Sequence, residues 1–153
     1  MDVTDRQIVE ILQDNARISN ADIARRLEMA PSAILQRIRK LEERGVIRSY
    51  RAHVDPDEVE RGFIAFVSLK TEEPLGDPAV AHALAEMPEV LELHDIAGED
   101  CYLAKVRVAD AAALHELLRM RIAQIPHVRS TSTIVVLKTF KESCVLPLPD
   151  DPD

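Results

Sequence analysis

The 153-residue chain carries 19 Lys and Arg against 27 Asp and Glu, for a formal net charge of −8, and 46% of its residues are hydrophobic. A chain of this size can bury a core and form one domain or two small ones. The acidic balance by itself argues against a nucleic-acid partner. Two cysteines, Cys101 and Cys144, exclude a disulfide framework and lack metal-ligand spacing, so we expect no metal and no cofactor.

Targeting and membrane segments are not expected. The first five residues are acidic and lead directly into a predicted helix, so no signal peptide is visible. No apolar run approaches the ~18 residues that a membrane-spanning helix needs. These features predict a cytoplasmic protein.

Charge is distributed unevenly along the chain. Residues 1–53 hold ten basic and eight acidic side chains, and within them residues 31–51 hold six basic against two acidic. Residues 54–153 hold nine basic against nineteen acidic. The basic charge is therefore concentrated in one short stretch, and the acidic remainder need not contact a polyanion.

The stretch from Pro31 to Gly45 has the clearest pattern and predicts a single helix. Proline suits the first helical position, and glycine suits the left-handed residue that ends a helix. Ile34, Ile38 and Leu41 recur at a spacing that places them on one buried stripe. The opposite face is polar and basic, which fits either a DNA recognition helix or an ordinary amphipathic surface helix.

Two shorter helices are predicted before it. Ser19 and Asp22 form a capping box for the second helix, and Thr4 and Gln7 resemble another at the start of the first. Residues 28–30 separate the second and third helices, which is the length of a helix-turn-helix connection. Three short helices of which the last is basic predict a DNA-binding domain over residues 1–53.

In such a domain the third helix enters the major groove, where Gln and Arg can contact base edges while Lys and Arg neutralise phosphates. Residues 46–53 alternate like a strand and would follow the recognition helix as a wing, where Arg48 and Arg51 either contact phosphates or face solvent. We expect base contacts from Ser32, Gln36 and Arg37, and phosphate contacts from Arg39, Lys40, Arg44 and Arg48.

The second half is predicted to be a ferredoxin-like domain, which makes the whole chain α+β. Residues 54–62 are polar with Pro and Gly and predict a hinge. Residues 63–145 follow a βαββαβ rhythm that places both helices on one face of an antiparallel sheet. Strands are predicted at 63–70, 90–96, 102–108 and 128–140, with helices that begin at Asp77-Pro78 and Asp110. The last strand is apolar on both faces, so the open face of the sheet is expected to pack against another subunit.

The remaining residues, 146–153, are predicted to be a disordered acidic tail. No nucleophile elbow, zinc-protease motif or phosphate-binding glycine loop occurs in the chain. The histidines are dispersed without ligand spacing, at His53, His82, His94, His115 and His127. No catalytic residue is expected.

Several runs in the chain resemble the leucine-responsive regulator / AsnC (Lrp/AsnC) family of transcription factors. They are residues 5–8 with 12–19, 37–47 and 50–52 in the first half, and 98–103 and 131–135 in the second. The resemblance covers roughly residues 3–142. It implies a homodimer built through the ferredoxin-like domains, usually assembled further into tetramers or octamers, and regulation by an amino acid or related metabolite bound between subunits.

The implied effector site has a chemical rationale in this sequence. A glycine in the turn lets backbone N–H groups approach a carboxylate, and a neighbouring acid can take an ammonium group. The alternative is a plain hairpin turn with solvated acids. The residues expected to bind the effector are Gly98, Glu99, Asp100, Cys101, Tyr102, Thr131 and Thr133.

Three positions depart from the family pattern. Glu28 stands where the turn usually has Gly, so strain is expected there, and Ala30 stands where Ser usually caps the recognition helix. Cys101 stands where Asp is common, so either Asp100 or Glu99 takes its place or the ligand class differs. The alternative function is an enzyme of the same architecture, similar to sirohaem decarboxylases, which would need an anion-binding cavity lined with His and Arg.

Overall fold

A computed structural model of the chain describes residues 1–74 and 77–149. The chain divides into two compact units: Met1–His53 with Lys141–Asp153, and Val54–Phe140. The first unit thus contains the predicted DNA-binding domain and ends its N-terminal part at the predicted boundary. Residues 141–145, predicted to end the ferredoxin-like domain, make their contacts within the first unit.

Three helices build the N-terminal part of the first unit. They are α1 (Val3–Asp14), α2 (Asn20–Arg26) and α3 (Pro31–Glu43). Their apolar stripes meet in one core, and burial of an aliphatic side chain is worth about 1.5–3 kcal/mol. The shared core therefore fixes how α3 lies on the other two helices. Its buried members are Ile8, Val9, Ile23, Ala24, Ile34, Ile38 and Leu41.

Two of the predicted helix ends are confirmed. The Asp22 backbone N–H donates to Ser19 Oγ at 3.1 Å, and the Ser19 hydroxyl donates to the Asp22 carboxylate at 2.6 Å. Gly45 has a φ of +68°, and the Val46 N–H donates to the Leu41 carbonyl at 2.9 Å. This is the Schellman arrangement, in which a left-handed residue lets the chain satisfy the last carbonyls of a helix.

The predicted capping box of Thr4 and Gln7 is wrong. Helix α1 begins at Val3, and Asp2 caps it by accepting a hydrogen bond from the Asp5 N–H at 2.8 Å. An aspartate at this position satisfies an unpaired N–H and also interacts favourably with the helix dipole.

The turn between α2 and α3 carries the expected strain. Glu28 has a φ of +53°, in the left-handed region that costs a non-glycine residue roughly 1–2 kcal/mol. Ala30 precedes α3 with no side-chain hydrogen bond to the helix, as the missing serine predicts. The connection therefore keeps the helix-turn-helix geometry without two of its usual stabilising residues.

Residues 46–53 are not hydrogen-bonded as a strand, contrary to the prediction. A strand needs a neighbouring strand to satisfy its backbone groups. In the described part of the chain no strand lies beside this segment.

The second unit contains a four-stranded antiparallel sheet in the order β2-β3-β1-β4. Its elements are β1 (Phe63–Thr71), α4 (Ala79–Ala85), β2 (Val90–Asp95), β3 (Tyr102–Val108), α5 (Ala111–Glu116) and β4 (Val128–Val135). Helix α5 continues through a π-helical turn, Leu117–Arg121, and a short 3₁₀ turn, Ile122–Gln124. This order and pairing confirm the predicted ferredoxin-like fold.

Both helices pack on one face of this sheet. Val80 and Leu84 of α4 and Leu114 of α5 lie in the same core as Val67 and other strand residues. On the opposite face, register places Phe66 between Lys105 and Ile134, and the neighbouring row places Ser68 between Leu103 and Ser132. No helix of the second unit covers this second face in the described residues.

Strand β4 is shorter than predicted. It was expected to run to residue 140 but ends at Val135, after which the Val136 N–H makes one more bond, to the Ile64 carbonyl. Its partner β1 begins at Phe63, so the ladder has no further acceptors beyond that point. The β-branched composition of residues 134–136 had suggested a longer strand.

The predicted disordered tail also needs correction. Residues 146–149 contact α1, as described below, and residues 150–153 lie outside the described part of the chain. Among the described residues, no helix is long and apolar enough to cross a membrane.

Candidate DNA-binding and effector surfaces

The direction of each side chain on α3 follows from its buried stripe. Ile34, Ile38 and Leu41 are at most 7% exposed and define the inner face. With about 100° of rotation per residue, Ser32, Gln36 and Arg39 project within about 60° of one another, roughly opposite that stripe. These three side chains are exposed and form the centre of the outer face.

Further basic side chains flank this centre. Lys40 and Arg44 are exposed and lie about 100° around the helix from Ser32, and Arg48 is exposed just after the helix ends. The outer face is therefore polar in the middle and cationic at one side, as a helix that enters a groove between phosphates requires.

Arg37 differs from the other predicted DNA contacts because carboxylates of the same unit already bind it. Its Nη1 lies 2.6 Å from Asp2 Oδ2 and 2.6 Å from Asp5 Oδ1. The Arg37 side chain is 31% exposed, and that of Asp5 only 13%. These hydrogen bonds raise the pKa of Arg37 and, with the cap to Asp5, hold the pKa of Asp2 below its ordinary value.

The position of Arg37 explains this pairing. It lies about 40° around the helix from the buried Leu41, at the border between the inner and outer faces. Its guanidinium therefore points toward the first turn of α1 rather than away from the domain. The ion pairs link the recognition helix to α1 and neutralise one of its positive charges.

Most of the residues predicted to bind an effector lie at one end of the sheet, whereas Thr133 lies opposite Val67 at the middle of β1. The turn that contains Gly98 and Asp100 joins β2 to β3, and the Cys101 N–H donates to the Leu69 carbonyl of β1 at 2.8 Å. Leu69 is paired with Tyr102 on one side and Thr131 on the other. Thr133 lies two residues further along β4, on the same face as Thr131.

The hydroxyl of Tyr102 is already hydrogen-bonded. It donates to Glu73 Oε2 at 3.1 Å, and Glu73 Oε1 accepts from the Val80 N–H at 2.6 Å. Burial, and next the bond to Glu73, raise the pKa of Tyr102 to about 12, so the phenol stays protonated. Its proton is directed at Glu73, which connects β3 to the start of α4.

The turn itself is open. A Cβ atom at Gly98 would meet no atom within 4 Å, so the fold of the chain alone does not require glycine there. Glu99 is exposed, and Asp100 is half-buried. Cys101 is half-buried with its Sγ 3.9 Å from the Thr71 carbonyl oxygen, so this position supplies a packed thiol rather than a carboxylate.

The sequence did not predict the contacts of several side chains that support these surfaces. Asp2 and Asp5 were assigned no contact with the third helix, although two acids three residues apart near a basic helix could have suggested one. Glu73 has no distinguishing pattern, because its partners Tyr102 and Val80 are distant in sequence. Among the described residues, no three His, Cys, Asp or Glu side chains gather as a metal site.

Comparison with known proteins agrees with this architecture. Residues 64–146 match the family model of the Lrp/AsnC ligand binding domain, and residues 1–48 match that of a winged helix-turn-helix DNA-binding domain. The chain is 34% identical to the HTH-type transcriptional regulator FL11 of Pyrococcus horikoshii, over 97% of both proteins. It is 33% identical to the leucine-responsive regulatory protein of Escherichia coli, over 94% of this chain and 88% of that one.

Solved structures give the same result. A transcriptional regulator of Neisseria meningitidis in complex with L-methionine is 29% identical, with a TM-score of 0.90 and 96% of each chain covered. A feast or famine regulatory protein of M. tuberculosis, also complexed with L-methionine, is 34% identical, with a TM-score of 0.87 and coverage of 95% and 97%. The chain belongs to the Lrp/AsnC family of transcriptional regulators, with a DNA-binding helix-turn-helix domain followed by a ligand-binding domain.

We name Arg37, Asp2 and Asp5 the Arg37 cluster. Its ion pairs should contribute to the stability of the first unit in a pH-dependent way. Because the pKa of Asp2 is lowered by folding, its contribution is complete above about pH 4 and is lost as pH falls through the folded pKa. We expect Arg37→Gln to lower the thermal midpoint by roughly 2–4 °C at pH 7, and by less once the pH is below the folded pKa of Asp2.

The matched control is Arg25→Gln. Arg25 pairs with Asp22 of its own helix at 2.8 Å, and its side chain is 78% exposed. Arg25→Gln should therefore lower the thermal midpoint at pH 7 by less than Arg37→Gln does. Equal effects of the two substitutions at every pH, measured by circular dichroism, would show that the Arg37 cluster does not support the domain.

Proposed function

We propose that the chain regulates transcription by inserting the outer face of α3 into the major groove of specific DNA. The observation that carries this proposal is the strict opposition of two faces on one helix. The apolar stripe is buried in the core, and Ser32, Gln36 and Arg39 project the other way into solvent. A helix held in this manner presents fixed side chains to base edges.

The contact roles follow from direction and charge. Ser32, Gln36 and Arg39 lie at the centre of the outer face and contact bases, whereas Lys40, Arg44 and Arg48 contact phosphates. The proposal therefore gives Arg39 a contact with bases, whereas the sequence predicted that it contacts phosphates. Arg37, expected to read bases, acts instead as a positioning residue through Asp2 and Asp5.

Binding to a duplex selected from a randomised library, and to a scrambled duplex, tests these roles. Gln36→Ala should weaken binding to the selected duplex by ~1–3 kcal/mol and leave the scrambled duplex almost unaffected. Lys40→Ala should weaken both, and should reduce the slope of log affinity against log salt by about one.

Arg119→Ala, an exposed basic residue of the second unit, serves as the control and should change neither affinity nor slope. Affinity of the unsubstituted protein should fall by about 10³–10⁵ between 50 and 200 mM salt if its dimer makes ~6–10 phosphate contacts. Salt-independent binding, or equal losses on both duplexes for Gln36→Ala, would contradict the assigned roles.

We further propose that the chain works as a homodimer formed through the open face of the sheet. That face presents Phe66, Leu103 and Ile134, and the Ile134 side chain is 65% exposed in the single chain. A helix-turn-helix protein reads two half-sites about one helical turn apart, for which it needs two copies. Assembly of dimers into tetramers or octamers is part of the same proposal.

Ile134→Glu should therefore disrupt the dimer, because it would bury a charge against the partner's sheet. Met120→Glu is the matched control, since Met120 is 68% exposed but lies on the π-helical turn away from the sheet. Light scattering after size exclusion should show a smaller species for Ile134→Glu alone. An unchanged mass would place the interface elsewhere.

For the effector, we propose an amino acid that binds at the turn between β2 and β3. Gly98 leaves room for the ligand carboxylate to approach the backbone, and Asp100 takes the ammonium group that the packed thiol of Cys101 cannot. Thr131 and Thr133 offer hydroxyls nearby. Support comes from the two related regulators that were solved with L-methionine.

Thermal unfolding with and without L-methionine tests this site. A ligand at a hundred times its Kd stabilises the protein by about 2.7 kcal/mol, which raises the midpoint by several degrees. Asp100→Asn should abolish the rise, whereas Glu99→Gln, at the exposed neighbouring acid, should retain most of it. A rise that survives Asp100→Asn would remove Asp100 from the site.

No observation favours the alternative of an enzyme similar to sirohaem decarboxylases. Such an enzyme would need an anion-binding cavity lined with His and Arg, whereas His82, His94 and His115 lie on three different elements and His53 and His127 lie in connections. The named relatives are transcriptional regulators. We therefore propose regulation without catalysis, and a cytoplasmic site of action goes with this proposal.

A further inference from the structure

Residues 144–149, which we name the docking segment, lie against the helix-turn-helix domain of their own chain. Their sequence is Cys-Val-Leu-Pro-Leu-Pro, and they form part of the first unit. We propose that the docking segment binds a groove on α1 and so provides a second connection between the DNA-binding and ligand-binding units. The proposal rests on the DNA-binding function proposed above.

The polar part of the contact is a two-point clamp. The side-chain amide of Gln13 on α1 donates through Nε2 to the Leu146 carbonyl at 3.0 Å. Its Oε1 accepts from the Leu146 N–H at 2.8 Å. One glutamine thereby satisfies both backbone groups of a residue that lies outside any helix or strand, as a neighbouring strand would do.

The apolar part of the contact is made by Leu148. This side chain is partly buried against the core that holds Ile8 and Ile34, whereas the side chain of Leu146 is 70% exposed. The docking segment therefore places one of its leucines in the domain and leaves the other in solvent. Pro147 and Pro149 limit the conformations of the free segment, which lowers the entropy lost on docking.

The groove itself extends beyond these two anchors. A cavity of about 740 Å³ is lined by α1, by residues 45–51 that follow the recognition helix, and by the docking segment. Arg48, one of the proposed phosphate contacts, belongs to this lining. Docking thus takes place directly beside residues that are proposed to hold DNA.

The path of the chain explains why docking of this segment should matter for the DNA-binding domain. The chain leaves the first unit after His53 and returns to it at Lys141, so two stretches of chain join the units. The returning stretch follows β4, which carries Thr131 and Thr133 of the proposed effector site. With the segment docked, both stretches restrain the DNA-binding domain. Once the docking segment is released, only residues 54–62 restrain that domain.

A dimer must hold two recognition helices at a set spacing to bind both half-sites of one DNA site. If the DNA-binding domains are already restrained in the free protein, less of their conformational entropy is lost when the protein binds DNA. Release of the docking segment should therefore weaken binding to the selected duplex by about three- to tenfold, although no proposed DNA contact is altered.

The test uses two pairs of full-length variants. Leu148→Asp places a charge at the leucine that is partly buried against the core, and Leu146→Asp makes the same change at the exposed leucine. Gln13→Ala removes both the donor to the Leu146 carbonyl and the acceptor of the Leu146 N–H, and Gln7→Ala makes the same change at an exposed position of α1. The first member of each pair should release the segment, and the second should leave it docked.

Two readouts separate docking from its consequence. Backbone amide exchange at Leu146 should accelerate about tenfold or more in Leu148→Asp and Gln13→Ala, and little in their controls, because docking protects this N–H. Binding to the selected duplex should weaken in the same two variants. Circular dichroism establishes that all four variants are folded before either measurement.

Each outcome has one interpretation. If amide exchange at Leu146 is as fast in the unsubstituted protein as in Leu148→Asp, the docking segment is not bound and the proposal fails. If exchange accelerates but affinity matches that of the controls, the second connection does not influence DNA binding and that part fails. If no protein binds any selected duplex while the exchange pattern is as expected, the proposed DNA-binding function fails and docking stands.

Discussion

Burial of three aliphatic side chains on one helix determines what the rest of the molecule can do. Ile34, Ile38 and Leu41 occupy the core that α1, α2 and α3 share. Each contributes about 1.5–3 kcal/mol, whereas an exposed ion pair contributes at most about 1 kcal/mol. The rotation of α3 about its axis is therefore set from the inside. The direction of Gln36 and its neighbours toward solvent is a consequence of that burial.

Helix α1 supports this arrangement although none of its residues is proposed to contact DNA. Near its beginning, Asp2 and Asp5 hold Arg37 of the recognition helix, and near its end Gln13 holds Leu146. Between these points Ile8 contributes to the core. The helix thus serves as a platform that connects the recognition helix with the C-terminal end of the chain.

The predictions that succeeded depend on signals local in sequence. Ser19 caps a helix that starts at the next residue, and Gly45 adopts the backbone conformation for which glycine is suited. The sheet order follows from the alternation of strand and helix patterns. The outer face of α3 could be derived in the same way, because it is the complement of a stripe with helical spacing.

The predictions that failed depend on partners distant in the chain. Arg37 has the appearance of a base-reading residue until Asp2, 35 positions away, is placed beside it. The length of β4 is limited by where β1 begins, and residues 46–53 have strand composition without a neighbouring strand in the described part of the chain. The contact between Gln13 and Leu146 spans 133 positions, and no local pattern marks it.

The left-handed backbone at Glu28 bears on how the protein responds to heat. Its strain of roughly 1–2 kcal/mol falls on a unit of fewer than seventy residues, whose total stability amounts to only a few kcal/mol. The second unit carries left-handed non-glycine residues as well, Glu60 at a φ of +54° and His127 at a φ of +71°. The strain at Glu28 is nevertheless large beside the stability that holds the recognition helix in place, and a glycine at this position would make the helix-turn-helix more resistant to heat without altering its outer face.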